Sequence, residues 1–202
     1  MDLLLTIIVG YLLGSISFSY IFTKKIKKID IRQHGSGNAG ATNTLRVLGV
    51  GPAVAVLLLD ALKGIVAVLL GYFFGGEGLA PALGGLAAIV GHNWPVFLRF
   101  RGGKGVATTI GVLATLVFWP ALAAGIIAIV SIVVTRFVSL GSLLFLLGTM
   151  VLSIVFREYF DYPVEYVYLL IAVTALSFWR HRANIIRLIK GKESKIGQKV
   201  KQ

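Results

Sequence analysis

The sequence contains no cysteine and few acids, and each shortage closes off a chemistry. Without cysteine there are no disulfides, no thiolate-bound metals and no thiol nucleophile. Only eight Asp and Glu stand against 20 Lys and Arg, and charged residues make up 14% of the 202 positions. Fixed-period repeats and low-complexity linkers are missing as well. The opening "MDLLLTIIVG" has neither a basic region nor a small-residue cleavage site after it, so no secretory signal is expected.

What is there is mostly apolar. Hydrophobic residues form 57% of the chain, well above a soluble domain, and they fall in long runs from end to end. This composition predicts an all-α integral membrane protein, with residues 1–202 forming a single transmembrane helical domain. Apolar spans are expected at 3–22, 52–75, 79–97, 140–156 and 163–179. The stretch 105–135 is too long for one span, and Pro120 interrupts it at "FWPAL", which predicts two short helices joined by a tight turn.

Charge then sets the sidedness. With seven transmembrane helices and the N-terminus outside, one face receives 24–46, 99–104, 136 and 180–202. Those segments hold 18 of the 20 Lys and Arg. Excess Lys and Arg in short loops marks the cytoplasmic side, so the C-terminus is expected there. The net charge of +12 is therefore read as topological bias and attraction to lipid headgroups, not as a nucleic-acid footprint.

Three polar segments share that face, at 31–47, 91–109 and 179–193. The first, "RQHGSGNAGATNTLR", carries Gly35, Gly37 and Gly40, which permit backbone N–H groups to turn toward an anion. Ser36 or Asn38 is expected to cap a short helix ending at Gly49 and Pro52. On that helix Thr42, Asn43 and Arg46 would present donors together. The plainer reading of the loop is a capped connector. The second segment, "GHNWPVFLRFRGGKGVATT", places Gly102, Gly103, Lys104 and Gly105 where a helix begins. Free N–H groups, a helix dipole and a lysine at one point make a phosphate trap. It is not a Walker A loop, because Leu98 stands where the first glycine belongs.

In the third, "WRHRANIIRLIKGKE", His181 and Asn184 share a helix face, although the segment also reads as an amphipathic stretch on lipid. Ser139 and Ser142 in "SLGS" read first as a plain helix cap. Asp60 and Lys63 lie roughly 12 and 16 Å beyond Pro52 at about 1.5 Å per residue. At i, i+3 they neutralise each other, or brace the site from below.

Among the cytoplasmic segments only Asp30 and Glu193 are acidic, too few for the carboxylates that hold magnesium on phosphates. No metal and no cofactor are expected. No His-x-x-x-x-Asp pair exists either, since Ala39, Phe97 and Ile186 stand five residues past the three histidines. What remains is donors and cations converging on anions, suited to a substrate that arrives activated.

Together "GSGNAGATN", "GHNWPVFLRFRGGKGVAT" and "RHRANIIRLIKGKE" resemble the PlsY family, bacterial inner-membrane acyl-phosphate:glycerol-3-phosphate acyltransferases. All three motifs appear in order over essentially the whole chain. The resemblance implies transfer of a fatty acyl group from acyl phosphate to the 1-hydroxyl of glycerol 3-phosphate, giving lysophosphatidic acid and phosphate. By motif position it implies catalytic roles for Ser36, Lys104, His181 and Asn184. Substrate binding would fall to Gly37, Asn38, Thr42, Asn43, Arg46, Gly102, Gly103, Gly105 and Ser142, with Glu193 structural. Two points stay open: whether Ser36 is a nucleophile or a donor, and whether His181 or a substrate phosphate removes the proton. A membrane transporter for an organic phosphate is the alternative, and a non-catalytic scaffold is a third reading.

Overall fold

The computed structural model describes residues 2–198, which contain ten α-helices and no strand. Met1 and 199–202 lie outside the described residues, and with them the two chain ends whose sides the charge pattern assigned. Two compact units are present, one ending at Val112 and one running from Leu113 to Gln198.

The first unit is built from α1 (Asp2–Ser15), α2 (Phe18–Lys27), α3 (Ala41–Leu48), α4 (Val50–Gly75), α5 (Leu79–Asn93) and the start of α6 (Val106–Leu116). The expected first span is interrupted at Ile16 and Ser17. Ser17 Oγ caps α2 by accepting from the Tyr20 N–H at 3.4 Å. Small residues let these helices touch backbone to backbone. A methyl group added at Gly14 would strike the Ala88 backbone, and one at Gly84 would lie 2.7 Å from the Ala67 carbonyl. Such contacts replace the hydrophobic effect as the source of helix adhesion in lipid.

The helix carrying Thr42, Asn43 and Arg46 forms as expected, but its caps differ. Gly40 is the N-cap with no side-chain bond, so neither Ser36 nor Asn38 plays that part. At the other end Gly49 adopts φ +90° and α4 begins at once. Pro52 therefore sits inside the first turn of α4, where its missing N–H costs nothing.

The second unit holds the remainder of α6, then α7 (Phe118–Thr135), α8 (Val138–Val155), α9 (Val164–Arg180) and α10 (Arg182–Ile189). The stretch 105–135 is indeed two helices, but the break is at Val117 (φ −140°, ψ 59°), not at Pro120. Pro120 lies in the first turn of α7, the position a proline tolerates best. Ser139 and Ser142 are inside α8, whose N-cap is Phe137, so the cap reading of "SLGS" does not hold.

Four stretches are long and apolar enough to cross a membrane: Asp2–Lys27, Val50–Gly75, Phe118–Thr135 and Val138–Val155. The remaining apolar helices, α5, α6 and α9, have 15, 11 and 17 residues, at or below the roughly 20 that a full crossing needs. The long helices turn apolar residues outward: Phe73 on α4 and Val133 and Val134 on α7 are exposed hydrophobic residues of the kind that meet lipid tails. The protein is an all-helical integral membrane protein.

Candidate active site

In the first unit, the glycine-rich loop between α2 and α3 is held by its own side chains. Asp30 accepts from the Arg32 backbone N–H at 3.0 Å and from its guanidinium at 2.9 and 2.6 Å. These bonds hold the Asp30 carboxyl below its ordinary value and raise Arg32 above its own. Gly35 and Gly37 both take left-handed φ, at +62° and +70°, which the turn requires.

Asn43 organises the middle of this loop. Its side chain is 1% exposed, and its Nδ2 donates to the His34 carbonyl at 2.9 Å and the Ile31 carbonyl at 3.4 Å. Its Oδ1 accepts the Ser36 N–H at 2.9 Å. The exposed Ser36 therefore rides on backbone that Asn43 grips from beneath. Thr42 and Arg46 on α3 are half-buried.

The second loop turns sharply at Arg99 and Phe100, two non-glycine residues in the left-handed region. The N–H groups of Gly102 and Gly103 are not free, contrary to expectation. They donate to the Asn93 carbonyl at 3.3 Å and the His92 carbonyl at 3.1 Å. These glycines serve close approach instead. A methyl on Gly102 would strike the His92 carbonyl, and one on Gly103 would strike His92 Nε2 and lie 2.6 Å from the Ala39 carbonyl. Lys104 comes next, half-buried, and Gly105 (φ +79°) leads into α6.

The two loops are thus brought together. Arg32 Nη1 donates across to the Leu98 carbonyl at 2.8 Å, and Gly103 stands against Ala39. Below them Lys63 pairs with Asp60 at 2.8 Å, the neutralisation expected from their spacing. His92 joins this pair, its Nδ1 lying 3.0 Å from Lys63 Nζ. No spacing in the sequence connects positions 63 and 92, so sequence reasoning missed that residue.

In the second unit, His181 is the joint between α9 and α10 and is buried. Its Nδ1 lies 2.8 Å from the Ser177 carbonyl, which assigns the ring proton to Nδ1. One turn on, Asn184 donates to Glu193 Oε1 at 2.6 Å, which also accepts from Ser139 Oγ at 2.8 Å. Arg187 Nε donates to Glu193 Oε2 at 2.7 Å. Burial alone would raise the Glu193 carboxyl, but the bonds from Asn184, Ser139 and Arg187 outweigh it and hold the group below its ordinary value. Ser142 turns its hydroxyl back to the Val138 carbonyl at 2.8 Å. Ser139 was legible only as a cap, because its partner lies 54 residues away.

An apolar, all-helical chain with glycine loops and cations at its helix ends belongs to the class of integral membrane proteins with a polar loop cluster. Comparison with known proteins narrows this. A family model described as glycerol-3-phosphate acyltransferase matches residues 4–191, and the chain belongs to that family. It is 61% identical over 200 residues to the glycerol-3-phosphate acyltransferase of Shouchella clausii, covering 98% of both chains. To that of Halalkalibacterium halodurans it is 64% identical over 197 residues, covering 96% of each. Among solved structures it resembles PlsY (YgiH), described as an integral membrane glycerol 3-phosphate acyltransferase. The glycerol 3-phosphate form aligns with a TM-score of 0.89 at 38% identity, over 98% of this chain and 96% of that one. The lysophosphatidic acid form aligns with a TM-score of 0.86 at 37% identity, with the same coverage. The chain is therefore an acyltransferase, and the transporter and scaffold alternatives fall away.

Proposed function

We propose that this enzyme takes its acyl group from acyl phosphate and delivers it to the 1-hydroxyl of glycerol 3-phosphate. The hydroxyl oxygen bonds to the acyl carbonyl carbon, the bond from that carbon to the phosphate oxygen breaks, and inorganic phosphate leaves with the electron pair. The products are lysophosphatidic acid and phosphate. The observation that carries this reading is the junction of the two glycine loops, where Ala39, three residues after Ser36, stands against Gly103, the residue before Lys104.

Acyl phosphate is a mixed anhydride, so its carbonyl needs no covalent relay through the protein. The difficulty lies in bringing two phosphates together, since like charges repel strongly away from bulk water. Arg46 and Lys104 are assigned to neutralise them. Ser36, with Gly37, Asn38 and Thr42, is assigned to hydrogen-bond substrate oxygens. Asn43 acts through the loop it holds, and Gly102, Gly103 and Gly105 act by letting that loop approach. In the second unit, His181, Asn184 and Ser142 are assigned the substrate contacts that the resemblance implies for them. His181, with its proton on Nδ1, offers Nε2 as acceptor for the hydroxyl proton; a substrate phosphate is the other acceptor.

The reaction is placed on the cytoplasmic side of the bacterial inner membrane, in a chain of seven spans with its N-terminus outside. The absence of cysteine makes this directly testable. Gln33→Cys should be shielded from an impermeant thiol reagent in intact cells and Glu77→Cys should react; the reverse pattern overturns the sidedness. For the chemistry, purified enzyme given acyl phosphate and glycerol 3-phosphate in detergent should release lysophosphatidic acid and phosphate in equal amounts. Product formed with an acyl thioester as sole donor, and none with acyl phosphate, would refute the assignment.

A further inference from the structure

The buried group beneath the glycine loops has a logic of its own. Lys63 is 5% exposed and faces three acceptors. These are the Ile16 carbonyl at 2.7 Å, Asp60 Oδ1 at 2.8 Å and His92 Nδ1 at 3.0 Å. An ammonium has three protons and no acceptor site. Paired with Asp60 and without an acceptor site of its own, the ammonium can meet His92 Nδ1 at 3.0 Å only by donating, so that nitrogen is the acceptor. Asp60 Oδ1 stands 3.6 Å from the same nitrogen, beyond hydrogen-bond length, and does not compete for it. A neutral imidazole that accepts at Nδ1 carries its proton on Nε2.

That second nitrogen is the one at the loop junction. Nε2 occupies the space a side chain on Gly103 would fill, and the Ala39 carbonyl borders the same point. The backbone of His92 is engaged there too, its carbonyl accepting the Gly103 N–H at 3.1 Å. Ring and main chain of one residue therefore bear on Gly103, immediately before Lys104.

We propose that His92 is a positioning residue for the acyl transfer. Asp60 and Lys63 lock its ring as the Nε2–H tautomer, and that N–H edge fixes the place where the Gly102–Gly105 loop meets Ala39. The inference rests on the phosphate-binding reading of those loops. His92 touches no substrate in this account. It acts by keeping Lys104 in register with the loop that carries Ser36.

Two readouts test it, one of them independent of turnover. The chain has three histidines, so a spectrum of protein labelled with 15N in histidine is assigned by subtracting the His92→Gln variant. The wild type in lipid bilayers should show His92 protonated at Nε2 alone. A proton on Nδ1, or an imidazolium, overturns the proposal even if the enzyme uses acyl phosphate as expected. Kinetically, His92→Leu should raise KM for the phosphate substrates about tenfold with kcat within about threefold, the signature of lost uniform binding. His92→Gln, which returns an N–H near the Nε2 position, should recover most of that loss. The charge-neutral pair Asp60→Asn with Lys63→Met should raise KM like His92→Leu and relax the single tautomer. Folded His92→Leu protein with wild-type KM would also overturn the proposal. Failure of the wild type to use acyl phosphate would sink the functional reading instead, leaving the spectrum to judge His92.

Discussion

Asn184 donates its amide to Glu193 Oε1 at 2.6 Å, so the asparagine that we propose as catalytic is oriented by a carboxylate nine residues later. Ser139 and Arg187 bind the same carboxylate, which leaves Glu193 as the post around which this end of the second unit is tied.

The first prediction concerns acid. The Glu193 carboxyl titrates lower in the folded enzyme than its ordinary value near 4.5. The stability it adds is therefore present above that value and lost as pH falls through the lower, folded one. Thermal unfolding in detergent should show this acid loss in the wild type and a flatter acid limb in Glu193→Gln. Identical acid limbs would contradict the role given to Glu193.

Asn43→Ala should damage the enzyme without removing any group assigned to the substrates. The change strands the N–H of Ser36 and takes one of two donors from each of the His34 and Ile31 carbonyls, which keep the Gly37 and His34 N–H groups. Each buried group left unpaired costs about 1–3 kcal/mol, so the thermal midpoint and kcat/KM should fall together. Asn43→Asp keeps the acceptor for Ser36 but loses both donors, and it should give an intermediate loss.

Two glycines give a paired test. Gly103→Ala would press a methyl group into His92 and the Ala39 carbonyl, and activity should drop by about two orders of magnitude if the displaced loop misplaces Lys104. Gly51→Ala, at the start of α4 with nothing near its side-chain position, should stay within about 0.5 kcal/mol of wild type. Equal effects at both positions would show that the loops do not need their close contact.

For His181 the expected signature is in kcat. With the proton on Nδ1 held by Ser177, removal of the ring in His181→Ala should lower kcat by about two orders of magnitude, the usual worth of a positioned base. A nearly normal kcat with a raised KM would assign proton removal to a substrate phosphate.

Much of the architecture was legible because lipid demands long apolar runs. The helix boundaries near 52–75 and 140–156 fall within two residues of expectation. Pro120 misled because a proline marks the first turn of a helix as readily as a break, and the interruption lies three residues earlier at Val117. At the loops, residue types announced anion chemistry, but the fate of each N–H did not. Whether Gly103 offers its N–H outward or spends it on His92 depends on how α5 ends. His92 and Ser139 were invisible as partners for the same reason: their bonds reach 29 and 54 residues along the chain.

The bond from Lys63 to the Ile16 carbonyl has one more consequence. A helix broken inside hydrocarbon strands backbone oxygen where no solvent can reach it, and such oxygen is costly. Here an ammonium from α4 donates to the Ile16 carbonyl, so the chain breaks between α1 and α2 without leaving that oxygen unpaired. Repair of the broken helix and orientation of the His92 ring thereby depend on a single nitrogen atom.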